Sequence, residues 1–355
     1  VSLQPAPEPV RVRSGQRTLK WWEKLVPSAR RRAEQEFAAE AAAARAAAEL
    51  AEREHRQRIL DVIDTEVDHH RITVSSLKGG VTKTTTVLGL GTALAMHRRS
   101  SVTAVDGNPH RGTLAERLGE EHAKTVRDLI DNAPQIHTSS QFRQFTNVAK
   151  SRLEVIAAHK DPRKAQVFTA EEYRLVTDII TRFRPLLITD TGTDLLTPLM
   201  EAVYQSTDTL VVPATTAEDG WKLAAETLDW WEKTPDGEDL VRNAIVPVTV
   251  IDTFALPDPA HLPDDATLAA QLAAFTTEQQ RQIAMVVDRI GPRVGKIVMI
   301  PHDPKLKRGN LFEWDALQQA TRDAYLELAY EVTSRFPGAT PPPAAPERAM
   351  PARAW

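Results

Sequence analysis

From residue 72 onward, short apolar and β-branched runs alternate with longer stretches in which apolar residues recur every three or four positions. Ile72-Thr73-Val74, Val102-Thr103-Ala104-Val105, Leu153 to Ala158, Leu186-Leu187-Ile188, Thr209 to Val212 and Lys296 to Ile300 read as strands. They lack polar alternation, as expected of strands covered on both faces. Arg242 to Ile251 reads as one further, long strand. Between these runs, Val87, Leu88, Leu90 and Leu94 mark a helix, Val126, Leu129 and Ile130 another within 123–133, and 140–149 a third. Tyr173, Leu175, Val176, Ile179 and Ile180 give a helix over 171–183 one apolar face. Helices over 217–233, 277–290 and 314–336 complete the series, and the tryptophans of the first, Trp221, Trp230 and Trp231, read mainly as packing. Thr253 to Thr276, rich in Pro and Asp, reads as an irregular excursion. Strands alternating with helices predict an α/β fold with a doubly wound, mostly parallel sheet over 71–336.

The first 70 residues break this pattern. Residues 1–32 form a basic arm with Pro5, Pro7 and Pro9, then Arg11, Arg13, Arg17, Lys20, Trp21, Trp22 and Lys24, and finally Arg30, Arg31 and Arg32. Such an arm suits an anionic membrane, nucleic acid or a partner protein gripped through the Trp pair. It equally suits a solvated arm whose tryptophans pack back on the domain. Residues 33–70 are alanine-rich and predict a long helix on propensity. Phe37, Ala41, Ala44, Ala48 and Ala51 trace either a weak coiled-coil seam or one stripe of a single exposed helix. Residues 337–355, rich in proline, read as a disordered tail.

Composition narrows the function classes. The 355 residues allow one large domain with appendages, and 42% hydrophobic with 26% charged residues is ordinary for a globular protein. A formal charge of -4 gives no overall bias toward nucleic acid, so such a role would need a local patch. The chain contains no cysteine, which excludes disulfides and thiolate chemistry and suits a cytoplasmic setting. No apolar run approaches the roughly 20 residues of a membrane span, and the charged, proline-containing start does not read as a secretory signal.

The chemistry concentrates at Ser75-Ser76-Leu77-Lys78-Gly79-Gly80-Val81-Thr82-Lys83-Thr84-Thr85-Thr86. A strand, a glycine loop and a helix in that order bring backbone N–H groups and a helix N-terminus onto phosphate. Lys83 would reach the β/γ-phosphates and the Thr84 hydroxyl would coordinate Mg²⁺. The plain G-x-x-x-x-G-K-[ST] pattern is not met, because Thr82 and Leu77 stand at its glycine positions. Two later strands end in a carboxylate, at Asp106-Gly107-Asn108-Pro109 and at Asp190-Thr191-Gly192. Ligands of open α/β sheets bind at that edge. A last strand runs into Ile300-Pro301-His302-Asp303, followed by Lys305, Lys307 and Arg308, a basic loop that is either solvated or a nucleic-acid patch.

On these motifs the chain resembles the ParA/MinD family of ATPases, whose deviant loop reads K-G-G-x-x-K-[ST]. The resemblance covers about residues 71–336 and implies a P-loop NTPase fold that uses ATP and Mg²⁺. It implies that Lys78 reaches across a nucleotide-sandwich homodimer, and that Gly79, Gly80, Val81, Thr82, Lys83, Thr84 and Thr85 cradle phosphate. Asp106 matches the first acid of switch I and lies near the metal. Asn108 stands where the second acid positions or activates water; an amide orients water but cannot take its proton, so slow hydrolysis is expected. Asp190 would hold Mg²⁺ through water, the Gly192 amide would sense the γ-phosphate, and Pro301 with Asp303 would line the adenine pocket. The family normally has Gly at the Thr82 position, and a β-branched residue there strains any positive φ.

The D-x-N-P-x-R-G-T-L run from Asp106 to Leu114, together with Asp190 to Thr193, Ile300 to Leu306 and Ala320 to Ala329, is similar to ParA/MinD-like proteins found with type VII secretion. The resemblance therefore implies an ATP-dependent homodimer that either partitions or positions DNA or regulates a membrane secretion or conjugation apparatus. The partner would be non-specific DNA or a membrane-complex protein, with Trp21, Trp22, Arg30, Arg31 and Arg32 as a docking site and a peripheral association with nucleoid or membrane. The alternative is a catalytically silent pseudo-ATPase scaffold that binds nucleotide and partners.

Overall fold

The structure, a computed structural model, describes residues 56–107, 114–119, 124–158, 169–192, 197–251, 265–307 and 311–339, with scattered positions between 39 and 54; in the helix Asp265–Ile290 the side chains are described from 276 onward. Trp21, Trp22, Arg30, Arg31, Arg32, Asn108, Arg308 and residues 340–355 lie outside the described residues. So do the seam positions Phe37, Ala41, Ala44, Ala48 and Ala51. The chain divides into two compact units, Val1–Gln57 and Arg58–Trp355. In the first, the described positions are helical and exposed.

The second unit begins with the end of a helix, whose Val62 and Ile63 are buried. The buried Arg98 guanidinium donates to the Ile63 carbonyl, and the Arg99 N–H and Nε donate to the Asp64 carboxylate at 2.8 and 2.6 Å. Next come β1 (His70–Val74), β2 (Val102–Gly107), β3 (Asn147–Val148), β4 (Glu154–Ile156), β5 (Leu186–Thr191), β6 (Thr209–Val211), β7 (Ala214–Thr215), β8 (Ile245–Thr249) and β9 (Lys296–Ile300). The sheet runs β3-β4-β2-β5-β1-β6-β8, with β7 and β9 also pairing β8. Every pairing is parallel except β3 with β4. The expected doubly wound α/β fold is what the chain adopts.

Alternate residues of the apolar strands feed two cores. Ile72, Val74, Val102, Ala104, Leu186 and Ile188 pack with the helices Lys83–His97 and Gln319–Thr333. Val105, Leu187, Val246 and Val248 pack with the helices Ala170–Phe183, Pro198–Gln205 and Glu218–Glu232. The sheet is therefore covered on both faces, as its unalternating strands require.

Four expectations about elements are corrected. Residues 242–251 are not one strand: a helix ends at Arg242 and β8 starts at Ile245. Residues 140–149 are not one helix either. Thr138 caps a short helix, Ser139–Arg143, through a reciprocal box with Gln141, and the chain then turns into β3. The stretch 253–276 is not irregular throughout, because the helix that ends at Ile290 already begins at Asp265. The closing helix begins at Gln319; Trp314–Ala316 is a separate 3₁₀ turn.

His70 opens β1 with its ring buried, Nε2 lying 2.8 Å from the Thr209 hydroxyl and the ring 4.3 Å from that of Phe336. Burial pushes its pKa from 6.5 down to about 4, against the raising influence of Asp208. Above pH 6.5 the folded and unfolded chains both hold a neutral imidazole. Below it the unfolded chain takes up a proton that the folded one resists until about pH 4, so stability falls as pH falls through that window. At 1.36 kcal/mol per unit this amounts to about 3 kcal/mol. His70→Gln is expected to flatten the loss of melting temperature between pH 6.5 and 4; an unchanged slope would show that the ring is not its source.

Candidate functional site

The glycine loop leaves the end of β1 anchored on both sides. The Ser75 N–H donates to the Val211 carbonyl at 3.0 Å, and the Ser75 hydroxyl accepts from Trp231 Nε1 at 3.1 Å. The Leu77 N–H donates to the Thr227 hydroxyl at 3.2 Å, and the Ser76 hydroxyl to the Lys78 carbonyl at 3.0 Å. Thr227 and Trp231 lie four apart on the helix Glu218–Glu232, so one face of that helix braces the loop. Lys78, Gly79 and Gly80 are exposed, while Val81 is buried. Gly80 has φ 99, which demands glycine, yet a Cβ placed there would meet nothing within 4 Å. The backbone conformation, not crowding, dictates the residue, and the space beside the loop is open.

Thr82 does occupy the left-handed region, at φ 61 and ψ 14, as the N-cap of the helix Lys83–His97. That conformation costs a non-glycine residue about 1–2 kcal/mol. Its hydroxyl lies 3.3 Å from that of Thr249 at the end of β8, which holds the loop against the neighbouring strand.

Beneath the loop, the parallel register places Asp106 of β2 beside Asp190 of β5. Both are only 2% exposed. The buried Lys83 ammonium lies 2.8 Å from Asp190 Oδ1 and also donates to the Thr191 carbonyl. The Thr84 hydroxyl donates to Asp190 Oδ2 at 2.7 Å. One carboxylate thus gathers the lysine and threonine of the loop. Asp106 accepts the Leu114 N–H at 3.1 Å, which draws the chain after β2 back over its end. Gly107 is close-fitting: a Cβ there would stand 3.2 Å from the Asp190 carbonyl.

Other expected site residues are more distant from this cluster in role. Gly192 is buried directly after β5. Pro301 is buried after β9, and the buried Asp303 carboxylate accepts the Lys305 N–H at 3.0 Å and the Gln318 N–H at 2.8 Å. Asp303 caps two turns, so a ligand there would meet mainly backbone. Sequence reasoning missed Thr227, Trp231, Thr249 and Arg117, whose guanidinium donates to the Thr85 hydroxyl. The i,i+4 spacing of Thr227 and Trp231 was a legible signal for a shared helix face; the others are long-range and carry none. A cleft of about 630 Å³ opens instead at the far edge of the sheet, among Tyr204, Asp208, Asp236 and Arg335. No motif residue lines it, so side-chain chemistry, not this cleft, locates the candidate site.

A profile of the CobQ/CobB/MinD/ParA nucleotide binding domain matches residues 72–296, which include the glycine loop, Asp106 and Asp190. The chain belongs to that family. Solved structures of similar fold include a ParA family ATPase from Chlorobium tepidum TLS, with TM-score 0.55 and 17% identity over 74% of this chain and 98% of that one. The MinD cell division protein of Aquifex aeolicus gives 0.52 and 17% over 75% and 97%. MinD of Pyrococcus horikoshii OT3, solved with Mg-ADP, gives 0.50 and 18% over 74% and 96%. The ESX-1 secretion-associated protein EspI of Mycobacterium tuberculosis is 27% identical over 267 residues, which cover 75% of this chain and 37% of EspI. The chain thus spans little more than a third of that relative's length. Among the described residues of this ParA/MinD-type chain, no helix is long and apolar enough to cross a membrane.

Proposed function

We propose that the chain is a Mg-ATP-binding switch of the ParA/MinD type, which closes a homodimer when nucleotide binds and reopens on slow hydrolysis. The observation that carries this reading is the single cluster of Lys83, Thr84 and Asp190 beneath an open glycine loop. The residues fit the ligand. A hydroxyl and two buried carboxylates make a hard oxygen donor set for Mg²⁺, and a lysine beside a helix N-terminus suits phosphate. MinD of P. horikoshii, similar in fold, was solved with Mg-ADP. A bound magnesium nucleotide supplies the electrophilic phosphorus and the charge neutralisation for phosphoryl transfer to water.

The chain's own residues would do the rest. With a magnesium nucleotide bound, Lys83, now on Asp190 and Thr191, would serve the phosphate oxygens, and Asp190 and Thr84 would hold the metal with Asp106 nearby. Lys78 is exposed at the loop's rim, and in the proposed homodimer it would reach the nucleotide of the second copy. Gly79, Gly80, Val81, Thr82 and Thr85 present backbone to phosphate, Gly192 offers its amide to the γ end, and the backbone around Pro301 and Asp303 flanks the base. Asn108 orients water without deprotonating it, which keeps turnover slow.

Similarity to EspI supports a role beside a secretion apparatus, with a membrane-complex protein as partner and residues 1–32 as the docking arm. Capture of such a subunit that is lost when residues 1–32 are removed supports that role; DNA binding that is ATP-stimulated and falls steeply with salt supports partitioning instead. Turnover tests the switch against the silent-scaffold reading. Phosphate release by the wild type is expected to exceed that of Lys83→Ala, and equal rates would leave only the scaffold. Thr82→Gly is expected to bind nucleotide more tightly and turn over faster. Its effect on folding should stay within about 1 kcal/mol, because relief of strain is offset by glycine's greater freedom in the unfolded chain.

A further inference from the structure

The glycine loop is held at its two ends by different elements. Lys83 and Thr84, at its helical end, answer to Asp190 on β5 at 2.8 and 2.7 Å. The other end, from Ser75 to Lys78, answers to the helix Glu218–Glu232. Trp231 Nε1 donates to the Ser75 hydroxyl at 3.1 Å, and the Leu77 N–H donates to the Thr227 hydroxyl at 3.2 Å. Between them, the Ser76 hydroxyl donates to the Lys78 carbonyl at 3.0 Å and closes the turn that carries Lys78. Ser75, Ser76, Thr227 and Trp231 are each at most 1% exposed, so these bonds form away from competing water.

Packing accounts for the Trp231 ring but not for where its N–H points. The ring meets that of Trp230 edge-on, with centroids 5.6 Å apart, and lies among the apolar side chains of one core. A buried indole N–H needs an acceptor, and the acceptor here is the side chain that opens the glycine loop. The helix that presents it is itself anchored. The Arg293 guanidinium reaches Asp229 at 2.5 Å and Glu232 at 3.1 Å, on either side of Trp231 in sequence. Thr227, one turn earlier, offers its hydroxyl from the same helix face.

We propose that Trp231, with Thr227, is a positioning residue for Lys78, fixing the first half of the loop so that the exposed ammonium meets the nucleotide of a second copy. The assignment rests on the homodimeric switch reading above. Trp231 touches neither nucleotide nor partner; it acts through Ser75 and the turn behind it. The phosphate and metal side of the loop has its own anchor in Asp190. Loss of the Trp231 bond therefore falls more heavily on dimer closure than on nucleotide affinity. A side chain that only packed would change stability without favouring either function.

The test is sedimentation with Mg-ATP over a concentration series, beside titration calorimetry of the full chain, for the wild type, Trp231→Phe, Lys78→Ala and the two combined. Trp231→Phe keeps an aromatic ring and deletes the N–H. It is expected to weaken the dimer roughly 5- to 150-fold, one neutral hydrogen bond being lost in each copy, while Mg-ATP affinity falls by no more than about threefold. The combined variant is expected to dimerise no more weakly than Lys78→Ala alone, because the tryptophan acts through that lysine. Thr227→Val removes the acceptor of the Leu77 N–H and is expected to show the same split. It replaces Trp231→Phe if that variant does not fold, with the nucleotide-free melting temperature as the check. A folded variant that dimerises like the wild type, loses as much Mg-ATP affinity as dimer affinity, or weakens Lys78→Ala further would overturn the assignment. If Lys78→Ala itself dimerises as the wild type does, the trans role of Lys78 fails and this assignment with it.

Discussion

Replacing Asp190 with alanine is expected to destabilise the folded chain by about 3 kcal/mol and to abolish Mg-nucleotide binding. The Asp190 carboxylate answers the Lys83 ammonium at 2.8 Å and the Thr84 hydroxyl at 2.7 Å, and both charged groups are buried. Removing one partner of such a pair leaves the other charge without compensation, at a cost of roughly 3–5 kcal/mol. The lower end applies because Asp106, its register neighbour on β2, loses a like charge at the same moment. For a large domain this corresponds to a fall of roughly 6–12 °C in melting temperature. The double variant Asp190→Asn with Lys83→Met removes both charges, and is expected to recover much of the stability while still failing to bind nucleotide. That divergence separates the structural from the functional part of the pair. Thermal unfolding of the two variants beside the wild type measures it, and a single Asp190→Ala variant that melts like the wild type would show the pair to be dispensable for folding.

Replacing Lys78 with alanine is expected to produce the opposite division. Lys78 is exposed at the rim of the loop and makes no ion pair among the described residues, so its loss should leave the melting temperature unchanged. On the proposed reading it acts on the nucleotide of a second copy. A two-fold dimer uses each such contact twice. At about 1.5–3 kcal/mol for a charge-assisted bond, two lost contacts weaken the dimer by about 3–6 kcal/mol, or roughly 10²- to 10⁴-fold. Sedimentation with Mg-ATP is expected to show dimer for the wild type and monomer for Lys78→Ala, while calorimetry shows that each monomer still binds nucleotide. If Lys78→Ala dimerises as the wild type does, the trans role of Lys78 is wrong.

The parts of the fold that were legible in the sequence are those that local chemistry dictates. The central strands announce themselves through unalternated apolar runs such as Leu186-Leu187-Ile188, because both sheet faces are covered. The glycine loop is legible because Gly80 needs a positive φ. The errors fall where local pattern and tertiary context part. Arg242 to Ile251 read as one long strand, yet a helix ends at Arg242, and Asn243 and Ala244 lead into β8 at Ile245. Residues 140–149 read as one helix, but the capped helix stops at Arg143 and the chain then pairs antiparallel with β4.

Within the candidate site, Lys83, Asp106 and Asp190 were visible one by one, but the contact of Lys83 with Asp190 and that of Arg117 with Thr85 were not. Lys83 meets Asp190 and Arg117 meets Thr85 across long stretches of sequence, and only the parallel register of β1, β5 and β2 brings them together. Trp231 was read as packing, and it is fully buried, but its indole N–H also fixes Ser75 at the start of the loop. A residue that packs and positions at once looks the same in a sequence as one that only packs.

The central claim is that the loop from Ser75 to Thr86 binds a magnesium nucleotide, and titration calorimetry of the full chain with Mg-ATP tests it most directly. The expected result is saturable binding at one nucleotide per chain, lost in Lys83→Ala. No heat and no thermal stabilisation on adding Mg-ATP to the folded wild type, or binding that survives Lys83→Ala undiminished, would contradict it.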